Sequence, residues 1–269
     1  MELETNTDRP LAVVTGASSG IGYELAKQFA QHGFDLVIVS ENPAIVEAAQ
    51  ICERLGANVA SFIIDLANFE GVDELIEKIT TIGKPIEAIA INAGVGVAGD
   101  FTRETNLDDE LNLINLNVVS SVHLAKHIVK DMVNRQKGRI LFTSSIAGVM
   151  PAPFQAVYGA SEAFIQSFSE ALRSELKDTG VTVTALMPGP TDTNFFNGPG
   201  LEDTLVAVSK KDDAGLVAQQ GFEAMMAGKG HVITGSFMNK VEVVLSKFKT
   251  EESKADALRK SGEPARLKH

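Results

Sequence analysis

A single cysteine, Cys52, in 269 residues leaves no partner for an intramolecular disulfide. Its place within a helical pattern suits a small buried hydrophobe better than a nucleophile. Positive charge is also scarce. With 24 Lys and Arg against 35 Asp and Glu, the formal net charge is -11. This argues against a nucleic-acid partner, which needs clustered cations to displace counterions. No apolar run is long enough to cross a bilayer. The first ten residues, Met1 to Pro10, are polar and acidic where a signal peptide would be basic and then apolar. A cytoplasmic protein with no membrane partner is expected. The five histidines are scattered and the cysteine is alone, so no metal site is expected. No cluster of Arg or Lys marks an anionic substrate, and no internal repeat or low-complexity tract is present.

Apolar residues make up 44% of the chain, enough for a large core in one domain. Short apolar runs recur at Leu11–Thr15, Phe34–Ser40, Val59–Ile64, Ala88–Ile91, Arg139–Thr143, Val181–Met187 and His231–Thr234. Segments of helical periodicity or turn residues separate them. Strands apolar on both faces belong in a parallel sheet covered by helices. The expected fold is therefore α/β, a Rossmann-like doubly wound parallel sheet of about seven strands with helices on both faces. Residues 11–246 are expected to form this domain, after a polar extension over 1–10 and before a charged tail over 247–269. That tail has only Leu258 and Leu267 as apolar anchors after Phe248, and no chemistry is assigned to it. Residues 190–211, rich in turn formers and carrying the exposed-looking pair Phe195–Phe196, form a candidate substrate lid.

Within Leu11 to Gly22 an apolar run breaks into Gly16, Gly20 and Gly22 just as a helical pattern begins. Glycine there permits a tight turn and close backbone approach, and the helix N-terminus offers free N–H groups to a pyrophosphate. Because ligands bind at the carboxyl ends of parallel strands, the glycine loop, Glu41, Asp65, Asn92 to Gly94, Ser144–Ser145 and Pro188 to Thr193 are expected along one rim.

Asn92-Ala93-Gly94 follows the fourth strand, Ser144-Ser145 the fifth, and Tyr158 comes thirteen residues after Ser145. With Thr15-Gly16-x-x-x-Gly20-x-Gly22, Asp65-Leu66, Asn117 and Pro188-Gly189-x-x-x-Thr193, the chain resembles the short-chain dehydrogenase/reductase family from about Leu11 to Thr234. The resemblance implies a nicotinamide-dependent oxidoreductase. Tyr158 would be its acid/base, Ser145 a hydrogen-bond donor to the substrate oxygen, and Asn117 the residue ordering a proton-relay water, with Asn115 as the rival assignment. It also implies that Gly16, Ser18, Ser19, Gly20, Ile21, Gly22, Glu41, Asp65, Leu66, Asn92, Ala93, Gly94, Pro188, Gly189 and Thr193 hold the cofactor. Within that frame Asp65 is the adenine contact and Thr193 the carboxamide contact. Glu41 ends the second strand where a carboxylate can accept from ribose hydroxyls, and Ser19 offers no cation to a 2′-phosphate. NAD(H) is favoured over NADP(H). Assembly as a homodimer or homotetramer is implied, through helices over about Leu107–Val133 and Gln155–Lys177.

One position departs from the family pattern. Tyr-x-x-x-Lys reads Tyr158-Gly-Ala-Ser-Glu162, and no lysine follows Tyr158 until Lys177. Residues four apart share a helix face, so Glu162 lies beside the tyrosine. An ionised carboxylate about 4 Å away would disfavour the phenolate by roughly 4 kcal/mol at an effective dielectric near 20, an upper-end figure. Two readings follow. The chain is an oxidoreductase acting on a ketone or secondary alcohol with apolar substituents, with Glu162 in an unusual proton relay. Alternatively, it is a catalytically impaired dinucleotide-binding or regulatory protein.

Overall fold

Alternating side chains of the central strands divide between two apolar layers, and that division builds the fold. The structure, a computed structural model, describes residues 9–235 and 250–262. Seven strands are present: β1 (Leu11–Thr15), β2 (Asp35–Ser40), β3 (Val59–Ile63), β4 (Ile86–Ile91), β5 (Gly138–Thr143), β6 (Val181–Met187) and β7 (His231–Ile233). They form one sheet in the order β3-β2-β1-β4-β5-β6-β7. Every pairing is parallel, with Val13 opposite both Val37 and Ile89.

On one face Ala12, Val14, Leu36 and Ile38 meet α1 (Gly20–Gln31), α2 (Ile45–Arg54) and α7 (Ala214–Met226). There Phe29 stands edge-on to Phe222, with ring centroids 5.1 Å apart. Cys52 is fully buried in the same layer, and burial pushes its thiol up to about 11, in keeping with an inert core residue. On the other face Leu11, Val13, Val37 and Ile89 meet α3 (Phe69–Ile82), α5 (Ser120–Asn134) and α6 (Ala156–Glu175). Each β-residue run is thus apolar on both sides, as a helix-covered parallel sheet requires.

The helix expected to run unbroken over Leu107–Val133 is instead three segments. α4 (Leu107–Ile114) passes into a π-helical turn at Asn115–Val119 and then into α5. Such turns insert one extra residue into the helical ladder and occur frequently at functional sites. Among the described residues no helix is long and apolar enough to cross a membrane. The C-terminal helix spans Glu251–Gly262, while Phe248, Leu267 and residues 1–8 lie outside the described residues.

Replacing Phe29 by Ala removes a fully buried ring and is expected to cost about 3–5 kcal/mol, seen as a lower urea midpoint with the fold retained.

Candidate active site

Strand order reverses between β1 and β4, and the two strand ends are joined there by side chains. The Thr15 hydroxyl accepts from the backbone N–H groups of Asn92 and Ala93, both at 2.9 Å. Asn92 donates its side-chain amide to the Thr15 carbonyl at 3.2 Å and accepts from the Thr143 hydroxyl at 3.0 Å. One asparagine thereby aligns the ends of β1, β4 and β5. Beside this joint the loop leaves no room for a side chain at Gly16 or Gly22. A Cβ on Gly16, where φ is +68°, would stand 2.8 Å from the Ala93 Cα, and one on Gly22 would stand 2.2 Å from the Gly16 carbonyl oxygen.

A cleft of about 1150 Å³ opens over the joint. Its floor and one wall carry Gly16, Ser18, Ser19, Gly20 and Ile21 from the loop, then Glu41 after β2 and Asp65 and Leu66 after β3. Asn92, Ala93 and Gly94 follow from the β4 end, and Pro188, Gly189 and Thr193 from the β6 end. Every sequence-assigned cofactor residue faces the cleft except one. Gly22 does not line it: the Cβ-free backbone lets α1 pack under the loop, a supporting position rather than a contact. Thr193 lies against Gly20, where an added Cβ would stand 2.9 Å from its Cγ2, so the β6 loop closes on the glycine loop. The bare backbone, the helix N-terminus and this cradle fit an elongated dinucleotide.

Asn117, not Asn115, reaches the site. It is buried in the π-helical turn, accepts from the Val95 N–H at 2.9 Å, and donates to the Val95 carbonyl at 2.9 Å and the Ser161 hydroxyl at 3.2 Å. Asn115 is exposed. The Asn117 amide is thus committed to holding the β4 loop against α6.

Tyr158 and Glu162 lie one turn apart on α6, and both line the cleft. The 3₁₀ turn Ile146–Val149 presses on this helix so closely that a Cβ on Gly148 would stand 2.7 Å from the Glu162 carbonyl carbon. The Ser144 hydroxyl donates to the Glu162 backbone carbonyl at 3.0 Å. Glu162 is only 6% exposed. Burial pushes its carboxyl up to about 8, the Ser144 hydroxyl acts the other way, and no cation figures among the influences on it. Where the sequence reading took an ionised carboxylate, burial favours the neutral acid. Tyr158 is raised well above the usual phenol value, by burial first and by Glu162 second, while the adjacent Ser145 hydroxyl opposes the shift. Ser145 in turn accepts from the Ala147 N–H at 3.1 Å.

Apolar side chains line the cleft beside Tyr158. Phe195 and Phe196 are half-buried, not exposed, because the Tyr158 and Phe195 rings pack with centroids 5.3 Å apart. Ile146, Ala147 and Met150 line the same region, as does Leu258 of the C-terminal helix. The Arg259 guanidinium stands 5.5 Å from the Phe154 ring centre, and Phe154 has φ +64°, a conformation a bulky residue rarely adopts. The tail to which no chemistry was assigned therefore contributes a wall. In the sequence Leu258 stands out only as an apolar anchor, with nothing to say where it packs. The scattered histidines need a second correction: His123 and His127 meet Asp73 in space, away from the cleft lining.

The short chain dehydrogenase family profile matches residues 10–200. An uncharacterized short-chain type dehydrogenase/reductase of Sinorhizobium fredii is 34% identical over 186 residues, covering 69% of this chain and 71% of the relative. The fold is shared with a short-chain dehydrogenase from Sphingobium yanoikuyae in complex with NADPH: TM-score 0.80, 24% identity, 89% of this chain and 93% of that one. It is shared equally with a short chain dehydrogenase/reductase from Burkholderia phymatum in complex with NAD: TM-score 0.80, 24% identity, 98% of this chain and 99% of that one. The chain belongs to the short-chain dehydrogenase/reductase family and is an oxidoreductase of that family.

Burying Glu162 carries a stability signature. Its folded value near 8 lies above the ordinary 4.5, so the folded state retains a proton that the unfolded chain has lost. Stability is fullest below about pH 4.5, is lost as pH rises towards 8, and levels off beyond. Glu162→Gln removes the titrating group, so its melting temperature should match the parent near pH 4.5 and exceed it by an amount that grows up to pH 8. The gain at pH 7 is on the order of 3 kcal/mol at most. A pH-independent offset would contradict the assignment.

Proposed function

We propose that the protein transfers hydride between a nicotinamide cofactor and a ketone or secondary alcohol bearing apolar substituents, with Tyr158 as the acid/base. The observation that carries this reading is that Tyr158, Ser145 and Glu162 line one dinucleotide-sized cleft together with the apolar Ile146, Met150 and Phe195, whose ring packs beside Tyr158. The bound cofactor supplies hydride to the carbonyl carbon in reduction and accepts it in oxidation. In reduction Tyr158 donates its phenolic proton to the substrate oxygen, and Ser145 donates a hydrogen bond to that oxygen as negative charge develops there. Asn117 positions the β4 loop through Val95.

Glu162 replaces a cation with a neutral acid. A protonated carboxyl both donates and accepts, so it has partners to offer the ribose hydroxyls of the cofactor. It leaves Tyr158 fully protonated at neutral pH, which suits reduction. Oxidation needs a phenolate, and the raised Tyr158 value opposes that. Above about pH 8 Glu162 ionises and adds repulsion to the developing charge on the substrate oxygen. The alternative, a binder without turnover, has less support because Tyr158, Ser145 and Asn117 all face the cleft.

The two solved relatives carry NADPH and NAD respectively, so preference must come from this chain. Glu41 and Asp65 line the cleft and, among its described lining residues, Lys210 is the only Lys or Arg. Lys210 belongs to the 190–211 segment, which we read as the substrate lid. A cation for a 2′-phosphate is missing beside Glu41, which favours NAD(H). The exposed Leu107, Leu111 and Phe164 on α4 and α6 support a homodimer or homotetramer through these helices. The acidic charge and single buried cysteine support a cytoplasmic catalytic domain over residues 11–246.

Tyr158→Phe should lower kcat for reduction of apolar ketones about 10²- to 10⁴-fold while NADH binding, followed by fluorescence, is unchanged. Parent reduction should fall on raising pH through about 8, and Glu162→Gln should abolish that fall. Equal turnover by Tyr158→Phe would remove the proposed acid. Glu41→Arg should shift the ratio of kcat/KM for NADPH over NADH upward by at least about tenfold; an unchanged ratio would show that Glu41 does not set the preference.

A further inference from the structure

The sequence scatters its histidines, but the fold assembles two of them with a carboxylate outside the cleft. We propose that Asp73, His123 and His127 form a binding site for a divalent transition-metal ion of the zinc class, tying α3 to α5. His123 and His127 are four residues apart on α5 and so project from the same helix face. Their ring centroids are 5.3 Å apart. Asp73 comes from α3, and its Oδ1 lies 3.0 Å from the Nε2 of His123. One ligand atom from each of the three residues falls within 4.8 Å of the other two.

A tetrahedral zinc ion with bonds near 2.0–2.1 Å holds its donors about 3.3 Å apart. The Asp73–His123 pair, at 3.0 Å, lies within about 0.3 Å of that spacing. Only the remaining separations must close, and the two side chains that would move, Asp73 and His127, are the exposed ones. The fixed member is His123. Its imidazole is 10% exposed and stacks on Phe69 with ring centroids 4.1 Å apart, so packing presets its orientation. Its Nδ1 is buried without a hydrogen-bond partner. The imidazole is thus held largely dehydrated, with Nε2 turned towards Asp73 as the atom available to a metal and Nδ1 left unpartnered.

Two imidazoles and one carboxylate suit zinc, whereas magnesium and calcium require oxygen-rich sets. Three protein ligands leave the fourth position to water. The buried thiol of Cys52 is held protonated and does not compete. The fold also supplies a comparison: His231 lies 3.4 Å from a carboxylate oxygen of Glu170, but no second imidazole joins it in a cluster of this kind among the described residues. If an imidazole–carboxylate pair sufficed, that site would bind equally well.

The test is calorimetric titration of the tag-free full chain with zinc chloride, together with cobalt(II) absorption. One equivalent per chain should bind, with the intense visible bands of tetrahedral cobalt. His127→Ala and Asp73→Asn alter exposed side chains and leave the core intact; each should weaken zinc at least tenfold and remove the zinc-dependent rise in melting temperature. His32→Ala/His231→Ala should bind as the parent does. No binding by the parent, unchanged binding in His127→Ala, or loss of binding in His32→Ala/His231→Ala would overturn the proposal.

Discussion

The cleft hangs on one joint, the Thr15 hydroxyl receiving the backbone N–H groups of Asn92 and Ala93. Parallel strands diverge at a topological switch point, and their ends must be pinned if a ligand is to find a fixed floor there. Thr15 pins β1 to β4, and the Asn92 side chain extends the pin to β5 through Thr143. Glycine 16 then passes so close to Ala93 that no other residue fits. The cradle for a dinucleotide is thus a consequence of strand-end hydrogen bonding together with missing side chains.

A second constraint acts at the reacting end. The 146–149 turn fixes α6, and α6 fixes Tyr158 and Glu162 one turn apart in the same cleft. A carboxyl held there without a cation resolves its desolvation by keeping its proton. Protonation removes the charge that would have repelled the reacting oxygen.

Much of this was legible in the sequence. The seven apolar runs correspond to the seven strands within two residues at their ends, because a helix-covered parallel strand has no polar face to blur the pattern. The glycine spacing marked the loop that lines the cleft, and of the two asparagines it is Asn117 that lines it while Asn115 is exposed. Other features depended on distance in space. The charge state of Glu162 depends on burial, which a motif does not report. The π-helical turn at Asn115–Val119 is a change of hydrogen-bonding register within a continuous helical run, which residue types do not announce. Phe195 looked exposed because its partner, Tyr158, lies 37 residues earlier in the chain. Gly22 was assigned to the ligand because spacing alone does not separate a contact from a packing requirement. His123 and His127 could be paired from the sequence by their spacing, but Asp73, fifty residues before His123, could be brought to them only by the packing of α3 on α5.

Infrared difference spectroscopy between the parent and Glu162→Gln reads the protonation state of Glu162 directly. The account predicts a carboxylic-acid C=O band at pH 7, assigned by its absence from the variant, that is replaced by carboxylate bands with a midpoint near pH 8. A carboxylate signature already complete at pH 6 would contradict the account.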